Sequence, residues 1–468
     1  MIQALKVADR GADWAPAGTP AARAGAAESG ARDPYIVAGM LLAATGLLSA
    51  LLAAGSHGLS ADEARIAEHA RAHSEEAAAL LERLVDVNSG TMNRAGVRQV
   101  GELLRPELQA LGFETSWIDM PVEMDRAGHL FAARRGTHGK RLLVIGHLDT
   151  VFEADSPFQL FARAGSQAHG PGVTDMKGGD VVILYALKAL ASAGALEGTT
   201  LTVALTGDEE EPGAPLGIAR RPLVEAAKAS DVALDFEALV RENGREYGTI
   251  ARRSASTWTL RTSGKAGHSA GIFKKGAGSG AVFEMARILA DFHRELSREP
   301  HLTFNPGLVA GGTDVSYDAA RLRATASGKT NMIAPTAAVS GDLRTISDEQ
   351  LRRVREKMRA IVADHLPETS AEIEFADGYP AMSPTPGNRE ILDRLNEVNR
   401  DLGAPALEAL DPDLRGAGDI SFVAPFVSGL SGLGMPGSGA HTPEETVDLS
   451  ALPLQIQRAA LLIYRLTR

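Results

Sequence analysis

Apolar positions recur with helical spacing in three segments of the first half of the chain. One helix is predicted to open at Ser74, which would cap it, a second spans residues 95–111, and a strongly apolar third spans residues 179–193. Short apolar segments followed by polar or glycine-containing sequence predict four strands, at residues 115–118, 142–145, 200–205 and 232–236. Strands that alternate with helices predict an α/β sheet sandwiched by helices.

The periodicity changes near Arg252. Alternating residues predict strands at 256–262, 329–344 and 371–375, and helical spacing predicts helices at 276–293 and 348–366. We interpret this as a β-α-β-β-α-β order, one of whose four strands the pattern does not locate; this order is typical of a ferredoxin-like α+β sandwich and not of a parallel sheet. The sequence therefore predicts an α+β domain at residues 253–377, inserted into an α/β domain formed by residues 74–252 and 378–468.

The N-terminal extension, residues 1–55, is predicted to lie outside this fold. Residues 36–54 run for 19 positions without a charge, after an Ala- and Gly-rich stretch without periodicity. This pattern indicates an export signal or a membrane anchor, whereas a buried helix is disfavoured because nothing polar marks an outward face. We expect an exported protein, periplasmic or extracellular, whose only contact with a membrane would be through residues 36–54; small residues at 53–55 leave open whether the segment is cleaved.

Composition narrows the classes of function. At 468 residues the chain exceeds what one hydrophobic core usually serves, so two domains are expected. A net charge of −11 without a Lys/Arg run argues against nucleic acid and anionic membrane surfaces as partners. Cysteine is absent, which excludes disulfides, thiol nucleophiles and Cys-type zinc sites. Any zinc would be bound by His, Asp and Glu.

Acids and histidines are concentrated just after predicted strands and turns. The ends of three predicted strands carry His147-Leu148-Asp149, Asp208-Glu209-Glu210-Glu211 and Glu237, and two glycine-rich turns carry Asp175 and His441. Because ligands sit at the carboxyl ends of strands in α/β sheets, the three strand-end groups are expected at one edge. Imidazole and carboxylate groups are the ligands of a two-metal hydrolytic site. The sequence thus predicts a dinuclear metal hydrolase.

Each motif also has a simpler explanation. Asp175 precedes an apolar helix and could be an N-terminal cap, and the four acids at 208–211 could be a solvated loop. His147 and Asp149 could be surface residues beside a turn, but their i, i+2 spacing would also let Asp149 hydrogen-bond the ring nitrogen of a ligating His147. Asp235 competes with Glu237 as a ligand two residues away. Adjacent acids in the 208–211 run could have different roles, one binding metal and its neighbour accepting a proton.

These motifs resemble the M20 metallopeptidase family, and the pattern is most similar to its glutamate carboxypeptidase branch. The resemblance covers roughly residues 74–468. It rests on residues 146–151 (Gly-His-Leu-Asp-Thr-Val), 170–179 (a Gly-Pro-Gly turn followed by Thr-Asp-Met-Lys-Gly-Gly), 208–210 (Asp-Glu-Glu), 236–237 (Phe-Glu) and 439–441 (Gly-Ala-His). It implies a zinc-exopeptidase-like α/β catalytic domain, with the inserted domain serving as lid and dimerisation domain.

The resemblance also implies a role for each site residue. Two Zn²⁺, with Co²⁺ or Mn²⁺ as substitutes, would be bridged by Asp175, with His147 and Glu237 on one ion and Glu210 and His441 on the other. Glu209 would be the base, Asp149 would orient His147, and lid residue His268 would stabilise the oxyanion. The substrate carboxylate would be held by Asn331 and Arg344, near the glycine-rich loop at Gly416 and Gly418.

We therefore expect a carboxypeptidase-type enzyme that acts on a small peptide or acyl-amino-acid substrate, with glutamate as one candidate for the released residue, and that forms a homodimer through the lid. Met176 and Tyr379 depart from the glutamate-releasing pattern and weaken that specificity. Two alternatives are an N-acyl amino acid deacylase and, more remotely, an inactive membrane-tethered binding protein. The presence of the base Glu209 argues against the second, because binding alone needs no base. A dinucleotide-binding protein is disfavoured since no Gly-x-Gly-x-x-Gly follows a strand and opens a helix.

Overall fold

The structure, a computed structural model, describes residues 58–319 and 321–468. This part of the chain contains the following α-helices: α1 (Ala61–Ala72), α2 (Ser74–Val85), α3 (Arg94–Ala110), α4 (Lys177–Ser192), α5 (Leu216–Ala219), α6 (Arg221–Lys228), α7 (Ala281–Leu296), α8 (Asp348–Ala363), α9 (Pro386–Leu402), α10 (Ile420–Val423) and α11 (Leu452–Leu466). The first twelve strands are β1 (Glu114–Ile118), β2 (His129–Arg134), β3 (His138–His147), β4 (Ala162–Ala164), β5 (Gln167–His169), β6 (Thr199–Thr206), β7 (Val232–Asp235), β8 (Val240–Glu242), β9 (Arg245–Gly248), β10 (Ala255–Gly264), β11 (Gly267–His268) and β12 (Thr303–Gly312). The remaining strands are β13 (Asp314–Asp318), β14 (Arg323–Ser327), β15 (Met332–Ile333), β16 (Thr336–Arg344), β17 (Thr369–Tyr379), β18 (Glu408–Ala409), β19 (Ser428–Leu430), β20 (Gly437–Ser438) and β21 (Thr446–Asp448).

A six-stranded sheet of order β1-β2-β6-β3-β7-β19 organises the catalytic domain. Strands β6, β3, β7 and β19 are parallel to one another, whereas β2 pairs antiparallel with both β1 and β6 at one side. Four parallel strands place their carboxyl ends at the same edge of the sheet. This edge is where ligands bind in open α/β sheets.

Both faces of this sheet are covered. Leu142 and Val144 of β3 belong to a large hydrophobic cluster with α1 to α4, α9 and α11, while Leu143 and Ile145 pack on the other face with residues of α6 and α10. Alternate residues of a strand point to opposite faces, so a continuous apolar run such as β3 is buried on both sides. The predicted α/β sandwich is confirmed.

The inserted domain is a four-stranded antiparallel sheet of order β12-β16-β10-β17. Helices α7 and α8 pack on it through a separate core that includes Trp258, Ile288, Phe292, Val354 and Met358. The chain order β10-α7-β12-β16-α8-β17 is that of a ferredoxin-like sandwich. The expected fold class is therefore confirmed, and the predicted boundaries fall just before β10 and two residues before the end of β17.

Some local predictions differ from the structure. Helix α1 precedes the predicted start of the fold and is capped by Ser60, which accepts from the N–H of Glu63. Ser74 is wrong as a cap, because it is the first residue of α2 and its hydroxyl donates to the carbonyl of Arg71. The interpretation of residues 36–54 lies outside the described residues, and within residues 58–319 and 321–468 no helix is both long and apolar enough to cross a membrane.

Candidate metal centre

Three neighbouring parallel strands deliver the acidic and imidazole side chains to one edge. Strand β3 ends at His147, β6 ends at Thr206, two residues before the first acid of the acidic run, and β7 ends at Asp235, two residues before Glu237. His147 and Glu237 are buried. The groups expected at the sheet edge are thus brought together by the parallel pairing of β6, β3 and β7.

Asp175 lies between the two histidines. Its Oδ1 is 3.2 Å from Nε2 of His147, and its Oδ2 is 3.1 Å from Nε2 of His441. One carboxylate therefore faces a different imidazole with each oxygen. This arrangement is what a carboxylate that bridges two metal ions requires.

Glu210 and Glu237 each lie near a different one of these two histidines. Oε2 of Glu210 is 3.1 Å from Nε2 of His441, and Oε1 of Glu237 is 3.8 Å from Nε2 of His147. Potential ligand atoms of His147, Asp175 and Glu210 lie within 4.8 Å of one another, and so do those of His147, Glu209 and Glu237. Two adjacent groups that share His147 form a continuous centre.

The electrostatics of the centre favour cations. Burial would lower the pKa of His147, but hydrogen bonds with Asp149 and Asp175 raise it well above its usual range. Hydrogen bonds with Asp175 and Glu210 raise the pKa of His441 to about 11, and burial raises the pKa of Glu210 to about 7. Oε1 of Glu210 is buried without a hydrogen-bond partner among the described residues. Crowded carboxylates, an unpaired buried oxygen and two imidazoles fit divalent metal ions, which compensate this charge.

Asp149 contacts both the ring of His147 and the backbone of the acidic run. Nδ1 of His147 is 3.1 Å from the backbone carbonyl oxygen of Asp149 and 3.5 Å from its Oδ1, so the nearer partner is the carbonyl and not the expected carboxylate. The carboxylate instead accepts hydrogen bonds from the backbone N–H groups of Glu209 and Glu210, at 3.0 and 3.1 Å, and from the Thr91 hydroxyl at 2.6 Å. Asp149 thereby fixes the backbone of the acidic run.

Glu209 is held through its backbone and is partly buried. Its N–H donates to Asp149, and its carbonyl oxygen accepts from the hydroxyl of Tyr379 at 2.8 Å. Burial, together with the charges of Glu237, Asp419 and Glu210, holds the pKa of the Glu209 carboxyl well above its usual range. No hydrogen bond to the Glu209 side chain is found in the described part of the chain, so its carboxylate is free to exchange a proton.

Two residues that support the ligands, Glu445 and Arg415, were missed from the sequence. Glu445 is fully buried and accepts from the backbone N–H groups of Gly172, Thr174 and Asp175 at 2.9, 2.8 and 3.0 Å. Arg415 donates to Oε2 of Glu237 at 3.1 Å. Glu445 lies four residues after His441 and Arg415 directly precedes Gly416, but nothing in the spacing alone identifies their partners.

Two predicted lid residues lie together, away from these contacts. Strands β11 and β15 pair His268 with Met332, and the N–H of Ser269 donates to the carbonyl of Asn331 at 2.9 Å. His268 and Asn331 are exposed, and Nδ1 of His268 accepts from the N–H of Ala270. Across residues 58–319 and 321–468, no hydrogen bond or ion pair joins either of them to the metal centre.

Arg344 and the glycine-rich loop meet between the two domains. A Cβ added to Gly416 would lie 3.7 Å from Nη1 of Arg344, whereas one added to Gly418 would collide with Nη1 of Arg252. Arg252 donates to the carbonyls of Gly416 and Ala417, at 2.8 Å each. Gly418 therefore admits the buried Arg252 guanidinium, which holds the loop, and Gly416 leaves room beside Arg344.

Comparison with known proteins is consistent with this geometry. Residues 143–465 match the model of peptidase family M20/M25/M40. The chain is 28% identical to carboxypeptidase G2 of Pseudomonas sp. (strain RS-16) over 393 residues, covering 82% of this chain and 87% of the relative. It is 25% identical to succinyl-diaminopimelate desuccinylase of Cupriavidus necator over 391 residues, covering 79% and 94%. Aminopeptidase PepT of Bacillus cereus shares the fold, with a TM-score of 0.64 at 17% identity, over 84% of this chain and 99% of that one.

Proposed function

This chain belongs to peptidase family M20/M25/M40, and we propose that it is a dinuclear metallohydrolase that cleaves an amide bond next to a free carboxylate. The observation that carries the proposal is the position of Asp175, with one carboxylate oxygen facing each histidine of the centre. A metal-dependent hydrolase is what the family membership establishes. The number of ions, the metal and the carboxypeptidase-type release of a C-terminal amino acid are proposed.

Five residues would hold the two ions, which we propose to be Zn²⁺, with Co²⁺ or Mn²⁺ able to substitute. Asp175 would bridge them, His147 and Glu237 would complete one side, and Glu210 and His441 the other; the contacts between these side chains support this pairing. The chemistry that Zn²⁺ supplies when bound is acidification of a water molecule and polarisation of the scissile carbonyl.

Glu209 would move the proton of the reaction. Its carboxylate makes no hydrogen bond within the described residues, yet its backbone is fixed on both sides by Asp149 and Tyr379. It would accept a proton from the attacking water and deliver it to the leaving amine. Asp149 acts indirectly, because it orients His147 and holds the backbone of the acidic run.

The lid would grip the substrate carboxylate. Nε of Arg344 pairs with Asp342 at 3.1 Å, which leaves the rest of its guanidinium fork, beside Gly416, for a carboxylate. Asn331 would add a second donor, His268 would stabilise the oxyanion, and Gly416 and Gly418 would border the bound substrate. The similarity to a protein named carboxypeptidase G2 supports this carboxypeptidase assignment, with glutamate as one candidate leaving residue.

A second candidate is an N-acyl amino acid deacylase. The similarity to succinyl-diaminopimelate desuccinylase extends over 94% of that relative, and its name denotes removal of an acyl group. The same metal pair would cleave the amide bond of any substrate whose free carboxylate the lid can bind. The hydroxyl of Tyr379 is already hydrogen-bonded to Arg220 and to the carbonyl of Glu209, which also favours a specificity other than glutamate.

We further propose an exported homodimer assembled through the lid. Strand β12 is an edge of the lid sheet and exposes Val309, and the adjacent helix α7 exposes Val282 and Phe283. An exposed apolar surface beside an open strand edge is suited to pairing with a second copy. Export, to the periplasm or outside the cell, with possible retention of a membrane anchor, rests on residues 36–54 of the sequence.

The test is a substrate panel with controlled metal content. The full-length protein would be dialysed, its metal measured, and its activity assayed on peptides ending in Glu, Ala or Lys, on the same peptides with an amidated C-terminus, and on N-acyl amino acids. We expect close to two equivalents of metal, loss of activity with chelator, recovery with Zn²⁺ and no cleavage of amidated peptides. Less than one equivalent of metal with chelator-insensitive activity would overturn the proposal, and preference within the panel separates peptidase from deacylase.

A further inference from the structure

Tyr379 connects the lid to the catalytic domain at the backbone of Glu209. It is the last residue of β17, the strand through which the chain returns from the lid. Its hydroxyl donates to the carbonyl oxygen of Glu209 at 2.8 Å. The side chain at the base of the lid thus contacts the peptide unit that carries the proposed base.

Arg220 determines the direction of this hydrogen bond. Nη2 of Arg220 donates to the hydroxyl oxygen of Tyr379 at 3.0 Å, and a guanidinium can only donate. The hydroxyl proton is therefore left for the carbonyl of Glu209. Arg220 is completely buried and is itself fixed, since its Nε donates to Asp419 at 2.6 Å and its Nη2 donates to the carbonyl of Asp208 at 2.9 Å.

The ring of Tyr379 is held independently of its hydroxyl. It makes an edge contact with Phe422, with the ring centroids 4.7 Å apart. Removing only the hydroxyl would keep this packing. The hydrogen bond and the packing can therefore be separated by a single substitution.

The opposite side of Glu209 is fixed by Asp149. The N–H of Glu209 donates to Oδ1 of Asp149 at 3.0 Å, so both polar groups of this residue's backbone have a specific side-chain partner. Asp149 comes from the end of β3 and Tyr379 from the end of the lid. The Glu209 side chain has no hydrogen bond of its own in the described part of the chain, so its position depends on these two backbone contacts.

We propose that Tyr379 is a positioning residue that aligns Glu209 for proton transfer and makes this alignment depend on the strand that returns from the lid. The inference rests on the proposed function, in which Glu209 is the base. Catalytic groups must be placed within a fraction of an ångström, and a displacement of 1 Å can cost about 10²-fold in rate. Loss of the hydroxyl frees the Glu209 carbonyl but leaves the metal ligands and the lid carboxylate grip in place.

The primary test is Tyr379→Phe, with Tyr464→Phe as the matched control. Tyr464 also loses a hydroxyl contact, with Asp62 at 3.5 Å, in the terminal helix. We expect Tyr379→Phe to lower kcat about 10- to 100-fold with KM and metal content unchanged, in a protein that remains folded at the assay temperature. We expect Tyr464→Phe to keep native kcat. A normal kcat for Tyr379→Phe, or a loss explained by metal content, by KM alone or by unfolding, would overturn the inference.

A double-mutant cycle with Glu209→Gln separates this inference from the proposed function. If Tyr379 acts through Glu209, adding Tyr379→Phe to Glu209→Gln lowers single-turnover rates no further. Full additivity of the two losses would overturn the positioning role while leaving Glu209 as the base. Native activity of Glu209→Gln alone would instead overturn the base assignment, and this inference with it.

Discussion

Glu445 lies behind Asp175, and its Oε1 accepts the backbone N–H of Asp175 at 3.0 Å. The same carboxylate also accepts the N–H groups of Gly172 and Thr174. A single buried acid therefore holds the whole turn that presents the proposed bridging carboxylate. The sequence separates these partners by 270 positions, so this support exists only in the folded chain.

We predict that Glu445→Gln weakens metal binding about 10- to 100-fold, the range usual for residues that orient ligands. The amide has one oxygen in place of two, so it cannot accept all three N–H groups. Competition with a chromophoric chelator would measure the affinity. Glu444→Gln is the matched control, because Glu444 is exposed and adjacent; equal affinity of the two variants would show that Glu445 does not position Asp175.

Glu209→Gln should lower kcat by about 10²- to 10⁴-fold and keep the metal content of the native protein. The amide preserves the size of the side chain but cannot accept a proton. Glu211→Gln, at an acid that is 65% exposed and pairs with Arg126, should retain native kcat. Steady-state kinetics and metal analysis of both variants check the assignment, which near-native turnover by Glu209→Gln would refute.

Metal affinity of the metal-free protein should rise with pH. Hydrogen bonds with Asp175 and Glu210 hold the pKa of His441 at about 11, and burial holds that of Glu210 at about 7. Metal needs both groups deprotonated, so the free protein binds more protons than the complex and raising the pH favours the complex. Titration calorimetry in two buffers of different ionisation enthalpy should show proton release at pH 6; pH-independent affinity between pH 6 and 8 would contradict this electrostatic description.

Arg344→Ala should raise KM about 10- to 100-fold for substrates with a free carboxylate. A hydrogen bond to a charged group contributes roughly 1.5–3 kcal/mol, which corresponds to this range. Amidated analogues, if cleaved at all, should be unaffected. Arg261→Ala removes a surface arginine of the same domain that pairs with Glu374, and it should leave KM unchanged. A loss of kcat alone in Arg344→Ala would argue against carboxylate binding.

Val309→Lys should convert the proposed dimer into monomers. Val309 is 48% exposed on edge strand β12, where a charge opposes strand pairing with a second copy. Light scattering coupled to size-exclusion chromatography would measure the mass. Val122→Lys, at an 85% exposed valine of the catalytic domain, should remain dimeric. A monomeric native protein, or a dimer that tolerates Val309→Lys, would exclude this interface.

The sequence predicted the elements whose signals are local. Strands β3, β6 and β7 were identified because each contains a short apolar run bounded by polar or glycine residues, and helix α4 because a longer apolar stretch ends at Gly194. Strand β12 was missed because Pro306 and Gly307 indicate a turn, whereas the structure accommodates them at an edge with a register shift between Asn305 and Leu308. Edge strands tolerate such interruptions, and the strand's partners lie far along the chain.

The residues of the candidate site likewise include some that local motifs identify and others that they do not. Residues such as His147 and Glu210 were found because they lie in short motifs directly after strands. Glu445, Arg220 and the hydroxyl of Tyr379 were not, because their roles depend on partners that only tertiary structure brings within hydrogen-bond distance. Sequence reasoning therefore identified the groups proposed to bind metal more readily than the groups that hold them in place.

Asp175 and His441 are separated by 266 positions, and the entire lid is encoded between them. During synthesis on the ribosome, four of the five proposed ligands emerge long before the imidazole of His441 that would complete the centre. A nascent chain that ends before His441 has an incomplete ligand set, whatever metal surrounds it. Loading with both proposed ions would accordingly be a late event, after nearly the whole polypeptide has been made.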